Sequence, residues 1–367
     1  MVVSNVDLIR AELPFHAPFR ISLTESAGTV NLFVRLTSDT GMVGLGEASP
    51  SPAITGDTVE SMTAAARTLA PVILGRPAHD VRGADAAMTE AVPGQTTLRS
   101  AFDMAMHDLA AQQAGMPLYA WFGGRRESFP TDNTVSLDSP GVMADTARRF
   151  LEQGFRAIKI KVGTAVDEDV ARIRAVREAI GPDVPLRVDA NQAWSAPQAL
   201  EVLTATLECD VEYFEQPVPR HDVPGLATLK KHNLVPIMAD ESVFDHRDAL
   251  ALVKADAADL LNIKLSKSGG LVTAGRIAAV AHAAGLPCML GCMSETRLGL
   301  TAAAHFISAH RIVRFADLDS HVDHITDPVV GGMRIEDGLV QLPDSPGIGA
   351  TLDPDFVASC PTETLAS

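Results

Sequence analysis

The sequence predicts an α/β fold, a modified (β/α)8 barrel of the TIM type with an N-terminal α+β capping domain. Three observations indicate this fold. The chain has 367 residues, which suits one large domain or two ordinary ones. From about residue 130 onward, short apolar runs recur roughly every 24–28 residues, the length of one βα unit. Charged residues follow several of these runs, as expected where the active site of a barrel lies.

We expect residues 1–125 to form the capping domain. Residues 30–36 are apolar and β-branched, and three glycines follow shortly afterwards, as in a strand and hairpin. Two helical patterns come next, at about 59–74 and 98–113. No linker rich in Pro or Ser separates this region from the rest, so we expect the two domains to pack closely.

We expect residues 126–324 to form the barrel, with amphipathic helices between the apolar runs. One such helix covers 166–180, where apolar residues recur at steps of three and four and Gly181 is placed as a C-cap. Residues 325–367 lack this rhythm, and we expect them to pack back on the capping domain. The eight runs predicted to be strands are 133–137, 157–162, 186–188, 211–214, 236–238, 260–265, 288–290 and 312–315.

Composition excludes several classes of function. The chain has 30 basic and 46 acidic residues, a net charge of −16. A negative field of this size repels nucleic-acid phosphates and anionic lipid, so we expect neither nucleic acid nor a membrane as a partner. No apolar run approaches the ~18 residues of a membrane span, and the first ten residues lack the pattern of a signal peptide. The four cysteines have no disulfide-framework spacing, so we expect a cytoplasmic protein.

Acidic residues stand at the ends of three consecutive predicted strands. Asp189 follows the third strand, Glu215 the fourth and Asp240 the fifth. Because the carboxyl ends of barrel strands meet at one mouth, we expect the three carboxylates to converge. Hard oxygen ligands of this kind suit Mg²⁺, which keeps further positions for water or substrate. One acid after a strand is usually a helix cap, but three in succession favour a magnesium site.

Lysines flank these acids along the chain. Lys159 and Lys161 share one face of the second strand, and Lys264 ends the sixth, so we expect lysines to face each other across the barrel mouth. Two bases beside a metal-bound substrate suit proton transfer at one carbon, because one removes the proton and the other returns one to the opposite face. Burial and the metal are expected to lower the lysine pKa values enough for a neutral amine to act as base.

With these residues the chain resembles the enolase superfamily, in particular its muconate lactonizing enzyme subgroup. The resemblance covers nearly the whole chain and depends on the motifs KIK, DAN, EQP and DES at the ends of the second to fifth strands, and on Lys264. It implies a Mg²⁺ cofactor and an enediolate intermediate. The roles that it implies are metal ligands for Asp189, Glu215 and Asp240, paired acid/base residues for Lys161 and Lys264, and assistance at the substrate carboxylate for Lys159.

Within this subgroup the chain is most similar to dipeptide epimerases of the L-Ala-D/L-Glu epimerase group. The markers are residues 50–56 (PSPAITG), residues 291–296 (GCMSET) and the pair Asp317 and Asp319. In that family the D-x-D pair holds the α-ammonium group of the substrate, and two carboxylates on one face suit a cation. The resemblance also places Glu295 among the substrate-binding residues.

One position departs from the family pattern. Members that act on glutamate carry an Arg in the first mobile loop, at about the position of Thr24, which we place among the substrate-binding residues. Here Thr24 is followed by Glu25, so an acidic substrate side chain would meet no fixed cation unless Arg20 replaced it. We therefore expect that the preferred C-terminal side chain of the substrate is not strongly acidic.

The sequence thus predicts an isomerase, a dipeptide epimerase that acts by 1,1-proton transfer at the α-carbon of the C-terminal residue. We expect a small-molecule substrate, a dipeptide or an N-substituted amino acid, and a homo-oligomeric enzyme. The nearest alternatives keep the site and change the reaction: N-acylamino acid racemase, o-succinylbenzoate synthase or cycloisomerase. Asp317 and Asp319 argue against them, because acidic substrates without an ammonium group should avoid that pair. A barrel that binds metal without catalysis is a further alternative, against which the intact Lys161 and Lys264 argue.

Overall fold

The computed structural model describes residues 1–367 and has an N-terminal α+β domain, a parallel barrel and a C-terminal segment. The elements of the N-terminal domain are β1 (Val3–Arg20), β2 (Glu25–Ser38), β3 (Val43–Ala48), α1 (Val59–Ile73), α2 (Val81–Ala91), α3 (Thr96–Gln113) and α4 (Leu118–Trp121). Its sheet is antiparallel in the order β1-β2-β3, and the last strand of the chain joins it beside β1. The two predicted helices correspond to α1 and α3.

Successive residues of β1 belong to two different apolar cores. Leu8 packs in the core of the capping domain with residues of α1 and α3, whereas Ile9, Ala11 and Leu13 pack in the core of the barrel. Because neighbouring side chains of a strand point to opposite faces, the sheet is buried on both sides. It therefore lies between its own helices and the barrel, in agreement with the absence of a linker.

Two glycines let β3 lie directly on α3. A Cβ on Gly44 would be 2.3 Å from the carbonyl oxygen of Ala105, and one on Gly46 would be 1.9 Å from that of Ala101. Any larger residue would push the strand off the helix. Because the neighbouring residue points the opposite way, Glu47 faces away from α3 and towards the barrel.

The barrel sheet has eight parallel strands, which lie side by side in chain order. All eight coincide with the predicted apolar runs to within two residues. Directly after the last barrel strand the chain forms a short 3₁₀ helix, Ser320–Asp323, in place of an eighth long helix. The strands are β4 (Phe129–Pro130), which precedes the barrel, and then β5 (Asn133–Val135), β6 (Ile158–Lys161), β7 (Leu186–Asp189), β8 (Val211–Glu215), β9 (Ile237–Ala239), β10 (Leu260–Lys264), β11 (Cys288–Gly291) and β12 (Val313–Ala316).

Two of the connecting helices have the caps that the sequence predicts. Gly181 ends the helix Val166–Ile180 with φ of 77°, as predicted for a C-cap, and Ser195 begins the helix Ala196–Ala205 with a capping box and a proline in the first turn. None of the helices is long and apolar enough to span a membrane. The helices are α5 (Pro140–Glu152), α6 (Val166–Ile180), α7 (Ala196–Ala205), α8 (Val223–His232), α9 (His246–Ala255), α10 (Leu265–Ser268), α11 (Leu271–Ala284) and α12 (Arg297–Ala309), with a further 3₁₀ helix at Leu207–Cys209.

The two edge strands of the barrel sheet lie side by side. The backbone N–H of Asp132, just before β5, donates to the carbonyl of Ala316 in β12 at 3.4 Å. The N–H of Leu318 donates to the hydroxyl of Thr131 at 3.0 Å. These bonds curl the sheet on itself, so the carboxyl ends of all eight strands surround one mouth.

The C-terminal segment divides between the two domains. Its elements are β13 (Val329–Gly331), β14 (Arg334–Glu336), β15 (Leu339–Gln341), β16 (Ala350–Leu352), α13 (Pro354–Ser359) and β17 (Thr362–Ala366). β15 pairs with β4 at the barrel, β13 pairs with β16, and β17 pairs antiparallel with β1. The end of the segment thus completes the capping sheet, while its first part lies on the barrel. The domain limits at residues 125 and 324 stay predictions.

Candidate active site

Three carboxylates meet at the mouth of the barrel. Asp189 ends β7 and Glu215 ends β8, and the strand register places Asp189 between Glu215 and Lys161, which ends β6. Asp240 follows directly after β9. The three side chains are buried, and an oxygen of each lies within 4.8 Å of the others. We call this group, Asp189, Glu215 and Asp240, the carboxylate triad.

The carboxylate triad fits a divalent cation. Glu215 Oε2 and Asp240 Oδ2 are buried, and they lie 2.6 Å from Lys159 Nζ and 2.8 Å from Lys264 Nζ, respectively. No backbone N–H or neutral side chain donates to either oxygen, so both are directed at positive charge. Oxygen ligands from three carboxylates match the preference of Mg²⁺. Asp189, Glu215 and Asp240 could therefore hold that ion.

Lysines approach the triad from two sides. Lys161 Nζ lies 2.6 Å from Asp189 Oδ2, and Lys264 Nζ lies 2.8 Å from Asp240 Oδ2. Lys161 is on β6 and Lys264 on β10, with three strands between them in the sheet. The structure therefore places these two ammonium groups on opposite sides of the carboxylates.

Lys159 lies deeper in the barrel than Lys161 and is completely buried. Its Nζ is 2.6 Å from Glu215 Oε2, 2.8 Å from Asp317 Oδ2 and 3.3 Å from Asp189 Oδ2. The ammonium group of Lys159 thus links the triad to the D-x-D pair. The sequence predicted which face of the strand carries Lys159, but it did not predict this depth.

A fourth buried lysine, Lys267, escaped the sequence analysis. Its Nζ lies 2.5 Å from Asp240 Oδ1 and 3.0 Å from the carbonyl oxygen of Asn262. Asn262 in turn donates to Glu215 Oε1 at 2.7 Å. These contacts fix two members of the triad from behind. The available signal was the position of Lys267 three residues after Lys264, on the one-turn helix α10.

The pKa directions differ from the expectation for the lysines. Burial disfavours the charged form of Lys264, but Asp240 and Glu215 outweigh it and raise the pKa of this ammonium group. The pKa of Lys159 is likewise raised against burial, chiefly by Asp317 and Glu215. Burial and Asp189 raise the pKa of Glu215 to about 8. A divalent cation at the triad would offset the carboxylate charges that raise these pKa values. The lowered lysine pKa values predicted from the sequence refer to the enzyme with this cation bound.

A small cavity of about 50 Å³ lies beside Lys161, between the capping sheet and the barrel. Two aromatic residues of β1 form one wall, and the other walls come from β5, β6 and the loops after β11 and β12. The lining residues are Phe15, Phe19, Thr134, Lys161, Cys292, Met293, Ser294, Asp317, Asp319, Ser320 and Asp323. Its walls therefore carry three carboxylates outside the triad.

The two aspartates of the D-x-D pair differ in charge balance. Asp317 Oδ2 accepts from Lys159 at 2.8 Å, and although burial opposes it, Lys159 and Lys161 hold the pKa of Asp317 well below its usual range. Asp319 forms no ion pair, and its Oδ2 accepts from the N–H of Thr134 at 2.6 Å. Burial and the neighbouring Asp317 raise the pKa of Asp319 to about 7. The cavity therefore has an unbalanced negative charge that favours a bound cation.

Asp323 was not predicted as part of this site. It lies on the 3₁₀ helix four residues after Asp319, and burial raises its pKa to about 6. Its spacing from Asp319 was the sequence signal, but the sequence did not indicate a helical turn at that point.

Thr24 lies at the exposed tip of the turn between β1 and β2 and does not line the cavity. Ser22 of the same turn donates to the carbonyl oxygens of Ala190 and Asn191, which docks the turn at the end of β7. The Arg20 guanidinium is already paired, 3.0 Å from Glu25 and 3.1 Å from Asp138. A substrate contact by Thr24 stays a prediction.

Glu295 is buried next to the cavity without lining it. Its oxygens accept from the Ser266 hydroxyl at 2.7 Å and from the Met293 N–H at 2.5 Å. In this structure the side chain therefore supports the loop after β11, and a direct substrate contact stays a prediction.

Two family models match the chain, and together they cover most of it. The N-terminal domain of mandelate racemase / muconate lactonizing enzyme matches residues 4–123, and the enolase C-terminal domain-like family matches residues 142–356. The chain belongs to the mandelate racemase/muconate lactonizing enzyme family of the enolase superfamily. The resemblance inferred from the motifs is confirmed, and so is the barrel with its capping domain.

Relatives of this family member include several epimerases. It is 37% identical to a D-Ala-D/L-Ala epimerase of Cytophaga hutchinsonii over 98% of both chains. It is 38% identical to an L-Ala-D/L-Glu epimerase of Bacillus subtilis over 95% of this chain and 96% of that one. A solved structure of the Cytophaga hutchinsonii dipeptide epimerase, complexed with Mg and D-Ala-L-Val, superposes with a TM-score of 0.98 at 36% identity over the whole of both chains.

Proposed function

We propose that this family member is a dipeptide epimerase that inverts the α-carbon of the C-terminal residue of its substrate. The observation that carries the proposal is the unbalanced acidic cavity directly beside Lys161 and the carboxylate triad. A dipeptide offers a carboxylate for a cation held by the triad and an ammonium group for the cavity. Relatives that are named as dipeptide epimerases, one of them solved with Mg and a dipeptide, support the assignment.

The proposed mechanism assigns the proton transfers to Lys161 and Lys264. When bound at the triad, Mg²⁺ supplies positive charge against the negative charge that develops on the substrate carboxylate. Lys161 Nζ and Lys264 Nζ lie on opposite sides of the triad, so one amine can remove the α-proton while the other ammonium group delivers a proton to the opposite face. Lys159 assists at the substrate carboxylate, where its fixed charge adds to the stabilisation.

Binding of the substrate is assigned to the acidic cavity. Asp319 accepts from the α-ammonium group, and Asp317, which is paired with Lys159, lines the same cavity. Phe15 and Phe19 of the capping sheet cover the cavity and exclude water from it. The capping domain therefore completes a site whose chemistry belongs to the barrel.

The test is a dipeptide library incubated with the Mg²⁺-loaded enzyme in D₂O and analysed by mass spectrometry. Epimerisation through the α-carbon incorporates one deuterium, which appears as a gain of one mass unit, together with the new diastereomer on chiral chromatography. The double variant Lys161→Ala/Lys264→Ala is the control for exchange from other sources. Absence of exchange into every dipeptide, with exchange into N-acylamino acids instead, would replace the proposal by an N-acylamino acid racemase.

The homo-oligomeric state and the cytoplasmic location stay predictions. All four cysteines are unpaired in the structure, which is consistent with a reducing compartment. Light scattering coupled to size exclusion measures the oligomer, and fractionation of the source cells measures the location.

A further inference from the structure

A buried carboxylate of the capping domain contacts the loop that forms one wall of the cavity. Glu47 on β3 is inaccessible to solvent. Its Oε1 accepts from the Thr296 N–H at 2.8 Å, and its Oε2 accepts from the Thr296 hydroxyl at 2.8 Å and from the Gly299 N–H at 2.9 Å. Thr296 is the N-cap of α12, at the end of the segment that supplies three cavity-lining residues, 292–294.

A second residue of the capping sheet extends this network to the cavity itself. Asn31 on β2 is also fully buried, and its Nδ2 donates to Glu47 Oε1 at 2.7 Å and to the carbonyl oxygen of Ser294 at 2.9 Å. Ser294 is one of the cavity-lining residues. Two side chains of the capping sheet therefore hold the wall that the barrel contributes.

The chemistry of these contacts favours a strong attachment. A carboxylate at a helix N-terminus satisfies N–H groups that have no partner within the helix and interacts favourably with the helix dipole. Gly299 permits the approach, because a Cβ there would lie 3.1 Å from Glu47 Oε2. The same sheet supplies Phe15 and Phe19 to the cavity, so the network fixes the two walls relative to each other.

We propose that Glu47 is a positioning residue for substrate binding, which holds the β11–α12 loop, residues 292–296, in the conformation that shapes the ammonium-binding cavity. The inference rests on the proposed dipeptide epimerase function. Glu47 acts through Asn31, Ser294 and Thr296 and does not touch the triad. Its removal should therefore weaken the Michaelis complex more than it slows proton transfer.

The test is Glu47→Gln, with Asn31→Ala as a second and milder variant. In Glu47→Gln an NH₂ group replaces one acceptor oxygen, so at least one N–H of the loop or helix loses its partner. For the best dipeptide we expect KM to rise about ten-fold or more, with kcat within about three-fold of the wild type. Asn31→Ala should change KM in the same direction, and it keeps the proposal testable if Glu47→Gln does not fold.

The matched control is Asp108→Asn. Asp108 is also a buried carboxylate of the capping domain, and it accepts from the backbone N–H groups of Leu45 and Ile348, away from the loop. A purely structural role of Glu47 predicts that both variants lower the melting temperature and that neither raises KM. That result would overturn the inference, as would an equal rise of KM in Asp108→Asn.

A readout that does not need turnover separates this inference from the proposed function. Cys292 lies on the loop and lines the cavity, so its rate of labelling by a maleimide, measured by peptide mass spectrometry, reports how firmly the loop is held. We expect Glu47→Gln and Asn31→Ala to accelerate labelling of Cys292 about ten-fold or more relative to the wild type and to Asp108→Asn. Unchanged labelling in both variants refutes the positioning role. Faster labelling in an enzyme that turns over no dipeptide would refute only the dipeptide assignment.

Discussion

Replacing Asp319 by Asn should impair dipeptides far more than substrates without an ammonium group. Asp319 Oδ2 accepts from the Thr134 N–H at 2.6 Å, a bond that an Asn side-chain oxygen can keep, so the loop should stay in place. The other oxygen, Oδ1, has only the Cys292 thiol nearby, at 3.6 Å. In Asn this position becomes an NH₂ group, which presents donors to the substrate cation instead of an acceptor.

The size of the effect follows from the kind of bond that is lost. A hydrogen bond to a charged group contributes about 1.5–3 kcal/mol, which corresponds to a loss of kcat/KM of roughly 10- to 150-fold. Because the NH₂ group of Asn also repels the ammonium group, we expect the upper part of that range. Asp317 cannot compensate, since its charge is already balanced by Lys159 at 2.8 Å.

The assay is a cycle of two enzymes and two substrates, with kcat/KM measured by deuterium incorporation for a dipeptide and its N-acetyl derivative. Acetylation removes the cation, so the loss caused by Asp319→Asn should shrink to within about three-fold. Asp145→Asn, at an exposed position of α5, makes the same change in net charge and should have no effect. An equal loss for both substrates, or a wild-type enzyme that prefers the acetylated dipeptide, would refute the reasoning.

The pH dependence of kcat/KM in the wild-type enzyme should show the titration of Asp319. The pKa of Asp319 is raised to about 7, so the carboxyl group is protonated below this pH and cannot attract a cation. We expect kcat/KM for dipeptides to fall as pH falls below about 7, and Asp319→Asn to lack that dependence. The profile is measured with the enzyme saturated in Mg²⁺. A low-pH decline that is identical in the two enzymes would assign it to another group.

Three further predictions concern the metal, the two bases and the substrate. Asp189→Asn should lower turnover by orders of magnitude, and full activity after exhaustive EDTA treatment would exclude a metal requirement. Lys161→Ala and Lys264→Ala should each lose epimerisation while each still exchanges the α-proton of one epimer with D₂O, as followed by NMR; near wild-type epimerisation by either variant contradicts the two-base scheme. L-Ala-L-Leu should exceed L-Ala-L-Glu in kcat/KM, because Arg20 is already paired with Glu25 and offers no free cation; an advantage of about ten-fold or more for L-Ala-L-Glu would show that Arg20 changes partners.

The strand ends of the barrel could be predicted because parallel topology leaves little choice. Once the eight apolar runs are read as strands, Asp189, Glu215 and Asp240 must lie at neighbouring strand ends, and the structure has them there. The period of two gives the face of each residue, so Lys159 and Lys161 were placed on the same side. It does not give the depth of a side chain. Two residues along a strand span about 6.6 Å. This distance is enough to bury Lys159 below the triad while Lys161 lines the cavity.

Contacts between the domains could not be predicted in the same way. The hydrogen bond from Thr296 to Glu47 joins residues 249 positions apart, and no local pattern indicates such a pairing. Lys267 was missed because a lysine after a strand is usually exposed, whereas here the turn of α10 carries it into the barrel. α2 was missed for a local reason, since Gly83 stands in its first turn and only three of its residues are buried.

The pairing of β17 with β1 has a consequence for how the chain folds during synthesis. Ile9 in β1 pairs with Thr362 in β17, so more than 350 further residues are synthesised before β1 can form this pairing. Until then β1 presents an unpaired edge, to which strands of other nascent chains could add. All strands of the barrel are synthesised before β17. The capping sheet is therefore still incomplete when the barrel begins to fold, and the N-terminal domain cannot reach its final form first. Loss of the last few residues should therefore appear first as aggregation of newly made protein, before any defect in the barrel.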